Sequence, residues 1–134
     1  MTTTRPQAYA QFNFLVDLGI PGGPHAGFQE LSQINKITGL NKSTDVTMKR
    51  GVIGSSALQD WLNQIKKAPK QAQRTVGVAQ QDEQHQIIHR WILSGARIIK
   101  HTSAPLNAKG TDVAIEELVL SCERIEVKKP DGGS

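Results

Sequence analysis

A chain of 134 residues can bury a core of its own, so neither a disulfide nor a metal staple is required to fold it. With 37% hydrophobic and 21% charged residues the balance is globular, which excludes a disordered chain. The net charge of +4 is mild, and its lysines and arginines fall in short groups without interleaved aromatic residues, which argues against a binder of single-stranded nucleic acid.

The opening "MTTTRPQAYAQF" has no long apolar run and does not read as a secretory signal. No stretch reaches the roughly 20 apolar residues of a membrane span. A soluble protein made in the cytoplasm is therefore expected, without stable membrane insertion. The whole of 1–134 reads as one domain, with flexible ends at about 1–9 and 129–134.

In "FNFLVDLG", Phe12, Phe14, Val16 and Leu18 share one parity, the period-two signature of a half-buried strand. The Pro- and Gly-rich "IPGGPHAG" turns the chain, and "FQELSQINKI" reads as a return strand with imperfect alternation. "TGLNKST" breaks it. In "DVTMKRGVI", Val46 and Met48 face one way and Thr47 and Lys49 the other, while Gly51 suggests a bulge or strand end.

Next, Leu58, Trp61, Leu62 and Ile65 fall at i, i+3, i+4 and i+7, one face of a helix. Ser55 or Ser56 is expected to cap it, with Asp60 near its positive end, Lys66 and Lys67 at its negative end and Pro69 as its stop. "TVGVA", "QQDEQ" and "HQIIHRWIL" read as a hairpin, followed by a break at Gly95 and "SGARIIKHTS". "PLNAKGTD" is a loop. In "VAIEELVLSCERIEVKK" helix and strand periods compete, and β-branched content favours strand. Six or seven strands and one good helix predict a mainly β, α+β protein: two antiparallel sheets forming a β-sandwich or small barrel with one flanking helix.

The stretch "VTMKRGVIGSSALQDWLNQI" raises the question of phosphate binding. A P-loop needs G-x-x-x-x-G-K-[ST]; here Gly51 and Gly54 are three apart and the lysine lies upstream. A structural joint between strand and helix is the better reading. His85 and His89 are four apart and on a strand would share one face, but no third ligand is set by spacing. Glu116 and Glu117 are adjacent and, on a strand, face opposite ways. Cys122 lies in an apolar run that suits a buried, inert thiol. No nucleophile, base and oxyanion hole assemble, so no enzyme, cofactor or metal site is expected.

Four pieces in series, "FNFLVDLG", "GFQELSQI", "ITGLNKSTDVTMKRGVIGSSALQDWLNQI" and "HRWILSGARIIKHTSAPLNAKGTDVAIEELVLSCERIEV", resemble the tail-tube proteins of contractile-tailed phages and phage-like injection systems, relatives of the type VI secretion tube protein. "VTMKRG" with "LQDWLN", and "LNAKGTDVAIEELVL", are the most specific parts. The resemblance spans about 12–127. It implies hexameric rings of this chain, stacked into a hollow tube inside a sheath protein, with baseplate or hub proteins at one end and a terminator or cap at the other. The implied cargo is a protein effector or DNA. It implies a wall strand ending at Lys49, Arg50 and Gly51, a flanking helix over 57–66 anchored by Trp61, and contacts between subunits or rings near Asn107, Lys109, Asp112 and Glu116. Many tube proteins carry a long hairpin extension before the "GL" turn, with Pro before that Gly. The short link between Ile34 and Gly39, with Thr38 in the Pro position, predicts its loss. A ring at the tube's end, joining baseplate to tube, is the alternative role; a small adaptor module, or an enzyme using Cys122 or the His85/His89 pair, ranks below both.

Overall fold

The computed structural model describes residues 9, 11–20, 23–38, 41–103 and 112–128. In chain order they form β1 (Phe14–Asp17), β2 (Ala26–Thr38), β3 (Asn41–Gly54), α1 (Ser55–Lys67), a one-turn 3-10 helix (Pro69–Gln71), β4 (Arg74–Gln81), β5 (Ile87–Ser103), β6 (Asp112–Cys122) and β7 (Arg124–Lys128). The strand order is β4-β1-β2-β3-β6-β5-β7, and a further β4–β5 pairing closes the first six strands into a barrel. Every pairing is antiparallel. Closure of an all-antiparallel ring needs an even number of strands, and six satisfies it. The expected sandwich or barrel is thus a barrel. The segment read as one last strand is two: Glu123 interrupts it, and its N–H donates to the Ser94 carbonyl at 2.9 Å. β6 then lies on the second half of β5 and β7 on the first half.

Inward residues from all six barrel strands build one core, among them Val16, Phe28, Met48, Val76, Leu93 and Leu118. The helix adds Ala57, Leu58 and Trp61 to that core. Its start differs from expectation. Gly54, in extended backbone, is the N-cap, and no side chain caps the helix. Ser55 is already helical, and Asp60 lies beyond the first turn, which holds no acidic residue. Strand β3 runs into the helix without a loop, so no residue is left to turn back as a side-chain cap. Lys66 and Lys67 do occupy the last turn, and Pro69 opens the 3-10 turn that follows.

Three strands break their alternation at one level. In β2 Phe28 and Leu31 both pack on the core, in β3 Met48 and Ile53, and in β6 Ile115 and Leu118. The members of each pair lie an odd number of positions apart, so two neighbours between them must both point outward. The rungs step from Phe28↔Gly51 to Glu30↔Lys49, and from Gly51↔Ile115 to Lys49↔Glu117. The row Gln29, Arg50, Glu116 carries no rung, and Arg50 sits at φ +56°. This row is a crease across β2, β3 and β6. Gly51 lies beside it because a Cβ there would stand 1.9 Å from the Gly27 carbonyl oxygen. The strand therefore does not end at Lys49-Arg50-Gly51, as read from sequence. It bends there and continues to Gly54.

Three other readings are corrected. Gly95, at φ +63°, does not break its strand: β5 runs through 17 residues, and the register shifts around Gly95 as a bulge. The link between Ile34 and Gly39 does not cost the protein its hairpin. β2 and β3 stay paired to Thr38↔Asn41, past Thr44↔Cys122 where β6 ends. From 29 to 38, β2 has a strand on one side alone among the described residues, because β1 reaches only to Phe28. The "NKST" read as a break is the start of β3.

Candidate assembly face

The crease gathers charge. Glu30 on β2, Lys49 and Arg50 on β3, and Glu116 and Glu117 on β6 emerge together because each strand turns two successive residues outward there. An ionised group could not be turned inward at that level without a large desolvation cost. Arg50 Nη2 lies 2.5 Å from Glu30 Oε2, and Lys100 Nζ on β5 lies 3.0 Å from Glu117 Oε1. The Arg50 and Glu30 side chains are 69% and 51% exposed, so their pair adds little stability. Lys49 and Glu116 have no ion-pair partner among the described residues. The face can meet complementary charge.

A strap lies over the neighbouring part of the same three strands. The Phe12 N–H donates to the Tyr9 carbonyl at 3.0 Å. Phe12 and Tyr9 occupy the space above Gly27, where a Cβ would stand 2.6 Å from the Phe12 ring. Asn13 Nδ2 donates to the Gln29 carbonyl at 3.2 Å. The Tyr9 hydroxyl donates to Asp112 Oδ1 at 2.9 Å, at the first residue of β6 and opposite Gly54. Burial, then the hydrogen bond to Asp112 and its negative charge, push the Tyr9 phenol up to about 12.

Trp61 is fully buried, and its indole N–H donates to the Ala72 carbonyl at 2.7 Å. Arg74 lies over the ring with its Cζ 4.9 Å from the centroid, and donates to Gln64 Oε1 at 3.1 Å. Burial lowers the Arg74 pKa, and the charge of Asp60 opposes that. Trp61 is therefore a core anchor between helix and barrel.

Of the residues singled out from sequence, Lys49, Arg50 and Glu116 come together on the crease, with Gly51 beside them. Asp112 lies further along β6 under the strap, and Trp61 is in the core. Asn107 and Lys109 lie outside the described residues. Glu116 and Glu117, expected to face opposite ways, both emerge between buried Ile115 and Leu118, because the alternation breaks at the crease. Sequence reasoning missed Glu30, Lys100 and Tyr9. The first two carry no local signal, because strand pairing alone brings them to the crease. Tyr9 was placed in a flexible end, whereas its hydroxyl is tied to a residue 103 positions away.

The remaining chemical candidates are ordinary. Cys122 is buried, and burial, with a smaller contribution from Asp45, pushes its thiol up to about 12. His85 and His89 do not share a strand face: His85 is in the turn at φ +64°, and His89 on β5 stacks on Trp91 at 5.6 Å. Among the described residues no three His, Cys, Asp or Glu side chains gather as a metal would need. No described helix is long and apolar enough to cross a membrane. A hollow of about 530 Å³ is an open trough lined by residues of β1, β4 and β5 with Gly23 and Pro24, away from the crease.

Known proteins share this architecture of a closed barrel with one flanking helix. The chain resembles chains in three solved assemblies. It is 20% identical to one from an extracellular contractile injection system, the PVC sheath–tube complex in its extended state, over 95% of this chain and 99% of that one, with a TM-score of 0.53. It is 18% identical to one from the tube-terminating cap of the anti-feeding prophage, over 96% and 95%, also at 0.53. It is 20% identical to one from the PVC sheath/tube terminator, over 95% and 98%, at 0.52. These likenesses establish the shared fold. No curated protein matches the chain. The model of the T4-like virus tail tube protein gp19 matches residues 32–126, from the free stretch of β2 through α1 to β7. That is well over half of the sequence, and the chain belongs to this tail tube family.

Proposed function

We propose that this protein is the subunit of the inner tube of a contractile injection system or phage tail. Six copies close into a ring, and rings stack into a hollow tube that is driven through a target envelope and conducts cargo. The family match over 32–126 carries this reading. The free edges support it. β2 over 29–38 and β7 each have a strand on one side alone among the described residues. Long unpaired edges invite pairing with another chain, and a ring gives every copy the same partner. Many weak contacts per ring then suffice for a stable stack.

In this reading the crease residues Lys49, Arg50 and Glu116, together with Asp112, Asn107 and Lys109, meet neighbouring subunits or rings, and Trp61 acts within the subunit. The further partners are a sheath protein outside the tube, baseplate or hub proteins and a terminator or cap at its ends, and a protein effector or DNA inside. The role is structural, not enzymatic. The fold likeness alone does not choose between tube and tube end, since the sheath–tube and terminator chains score almost alike. The tube is preferred because the matching family is that of a tail tube protein.

Native mass spectrometry tests the ring. The expected species is six times the 14.6 kDa chain, and Lys109→Glu should leave the monomer folded while reducing that species. A wild-type spectrum with monomer alone would count against the ring. An unchanged ring in Lys109→Glu would remove that residue from the interface.

A further inference from the structure

The first described residue of the N-terminal strap is joined to the barrel by the hydroxyl of the protein's one tyrosine. Four observations meet at it. Tyr9 is held at φ +64°, a conformation that costs a non-glycine residue energy and persists only where surroundings impose it. Its hydroxyl reaches Asp112 Oδ1, so the first residue of β6 is gripped from outside the sheet. Gly27 lacks a side chain where Phe12 and Tyr9 lie, and the side of Gly54 is open toward the Tyr9 hydroxyl at 4.0 Å. The strap's other end is fixed to the barrel, with Gln81 Nε2 donating to the Phe12 carbonyl at 2.9 Å and the Gln81 N–H to the Asn13 carbonyl at 3.0 Å. The strap is thus tied at both ends, and it crosses the three strands that carry the crease.

A merely space-filling strap would need the rings and not the hydroxyl. Here the hydroxyl makes a charge-assisted bond to a carboxylate that the strands by themselves leave at a ladder end, opposite Gly54. Gly54, the N-cap of α1, is the strand partner of Asp112, so the bond acts on the start of β6 beside the junction of β3 and the helix.

We propose that Tyr9 is a positioning residue. Through Asp112 it holds the start of β6 and the β3–α1 junction in the geometry that a neighbouring copy meets. The positioning stands on the contacts above; its consequence for assembly rests on the tube reading.

The test compares the full-length wild type with Tyr9→Phe, Asp112→Asn, Asp112→Ala and the double variant Tyr9→Phe/Asp112→Ala. Two readouts are taken on each: hydrogen exchange of the amides at 112–114, and the protein concentration at which rings form by sedimentation. Tyr9→Phe keeps the ring, so its melting temperature should stay close to wild type. Its exchange at 112–114 should rise, and its assembly concentration should increase, each roughly 5- to 10-fold, as loss of one such hydrogen bond implies. Asp112→Asn keeps an acceptor and should fall nearer wild type, and the double variant should be no worse than Asp112→Ala. Wild-type exchange at 112–114 in Tyr9→Phe would overturn the positioning role. Raised exchange with unchanged assembly would overturn its link to assembly while leaving the tube reading intact. A wild type that never assembles would overturn the tube reading, and raised exchange in Tyr9→Phe would still support the positioning.

Discussion

Replacing Trp61 by alanine probes the joint between helix and barrel. Removing a fully buried tryptophan costs about 3–5 kcal/mol through lost burial and the cavity left behind. Ala72 loses the indole donor at 2.7 Å, and a buried carbonyl left without a partner costs about 1–3 kcal/mol, partly counted already. Arg74 loses the ring face it covers, worth about 0.5–1 kcal/mol. The sum is about 5 kcal/mol, a third or more of the stability of an ordinary domain. Trp61→Phe keeps most of the apolar volume and loses the N–H, so about 2 kcal/mol is expected. Urea unfolding followed by far-ultraviolet circular dichroism measures both, since fluorescence would mix in Trp91. A loss below about 1.5 kcal/mol for Trp61→Ala would refute the anchoring role.

Three further outcomes follow from local geometry. Tyr9 is the one tyrosine, so tyrosinate absorbance should titrate near pH 12 in the folded protein and near 10 in denaturant. Its folded pKa is raised, so its contribution to stability is complete below pH 10 and is lost as pH rises through 12; a folded midpoint at 10 would contradict the burial of Tyr9 together with its Asp112 contact. Cys122 should react with thiol reagents only as the protein unfolds, and a fast reaction under native conditions would contradict its burial. Gly51→Ala should cost more than about 3 kcal/mol because its Cβ meets a backbone oxygen, while Gly77→Ala, whose nearest neighbour is a side-chain carbon at 3.8 Å, should change stability by less than about 1 kcal/mol; equal effects in thermal melts would refute the close approach at the crease.

Most elements were legible because their patterns are local. Leu58, Trp61, Leu62 and Ile65 mark α1 by spacing, and the parity of Phe12, Phe14, Val16 and Leu18 marks the first strand, although β1 spans only Phe14–Asp17 and Phe12 lies in the strap. The crease was not legible, yet it left traces. The imperfect alternation of "FQELSQI", the ambiguity at "KRG" and the helix-like spacing of Ile115 and Leu118 are one feature seen three times. Each strand turns two neighbours outward at the level where it bends, and this mimics a strand end or a helical period. A single sequence cannot show that the three blemishes share a row, because that depends on strand pairing. The candidate site suffered for the same reason. Lys49, Arg50 and Glu116 were named from sequence, but the pairings of Arg50 with Glu30 and of Glu117 with Lys100 arise only when β2, β3, β6 and β5 lie side by side. Tyr9 shows the opposite error, since low apolar content near a terminus hid a residue held by one long-range hydrogen bond.

Negative-stain electron microscopy of the purified full chain at high concentration, with light-scattering mass measured on the same sample, tests the tube subunit most directly. Six-fold rings or stacked hollow tubes, with mass rising in steps of six chains, are the expected result. A particle that keeps the 14.6 kDa mass of one chain at every concentration, with no rings in the micrographs, would contradict it.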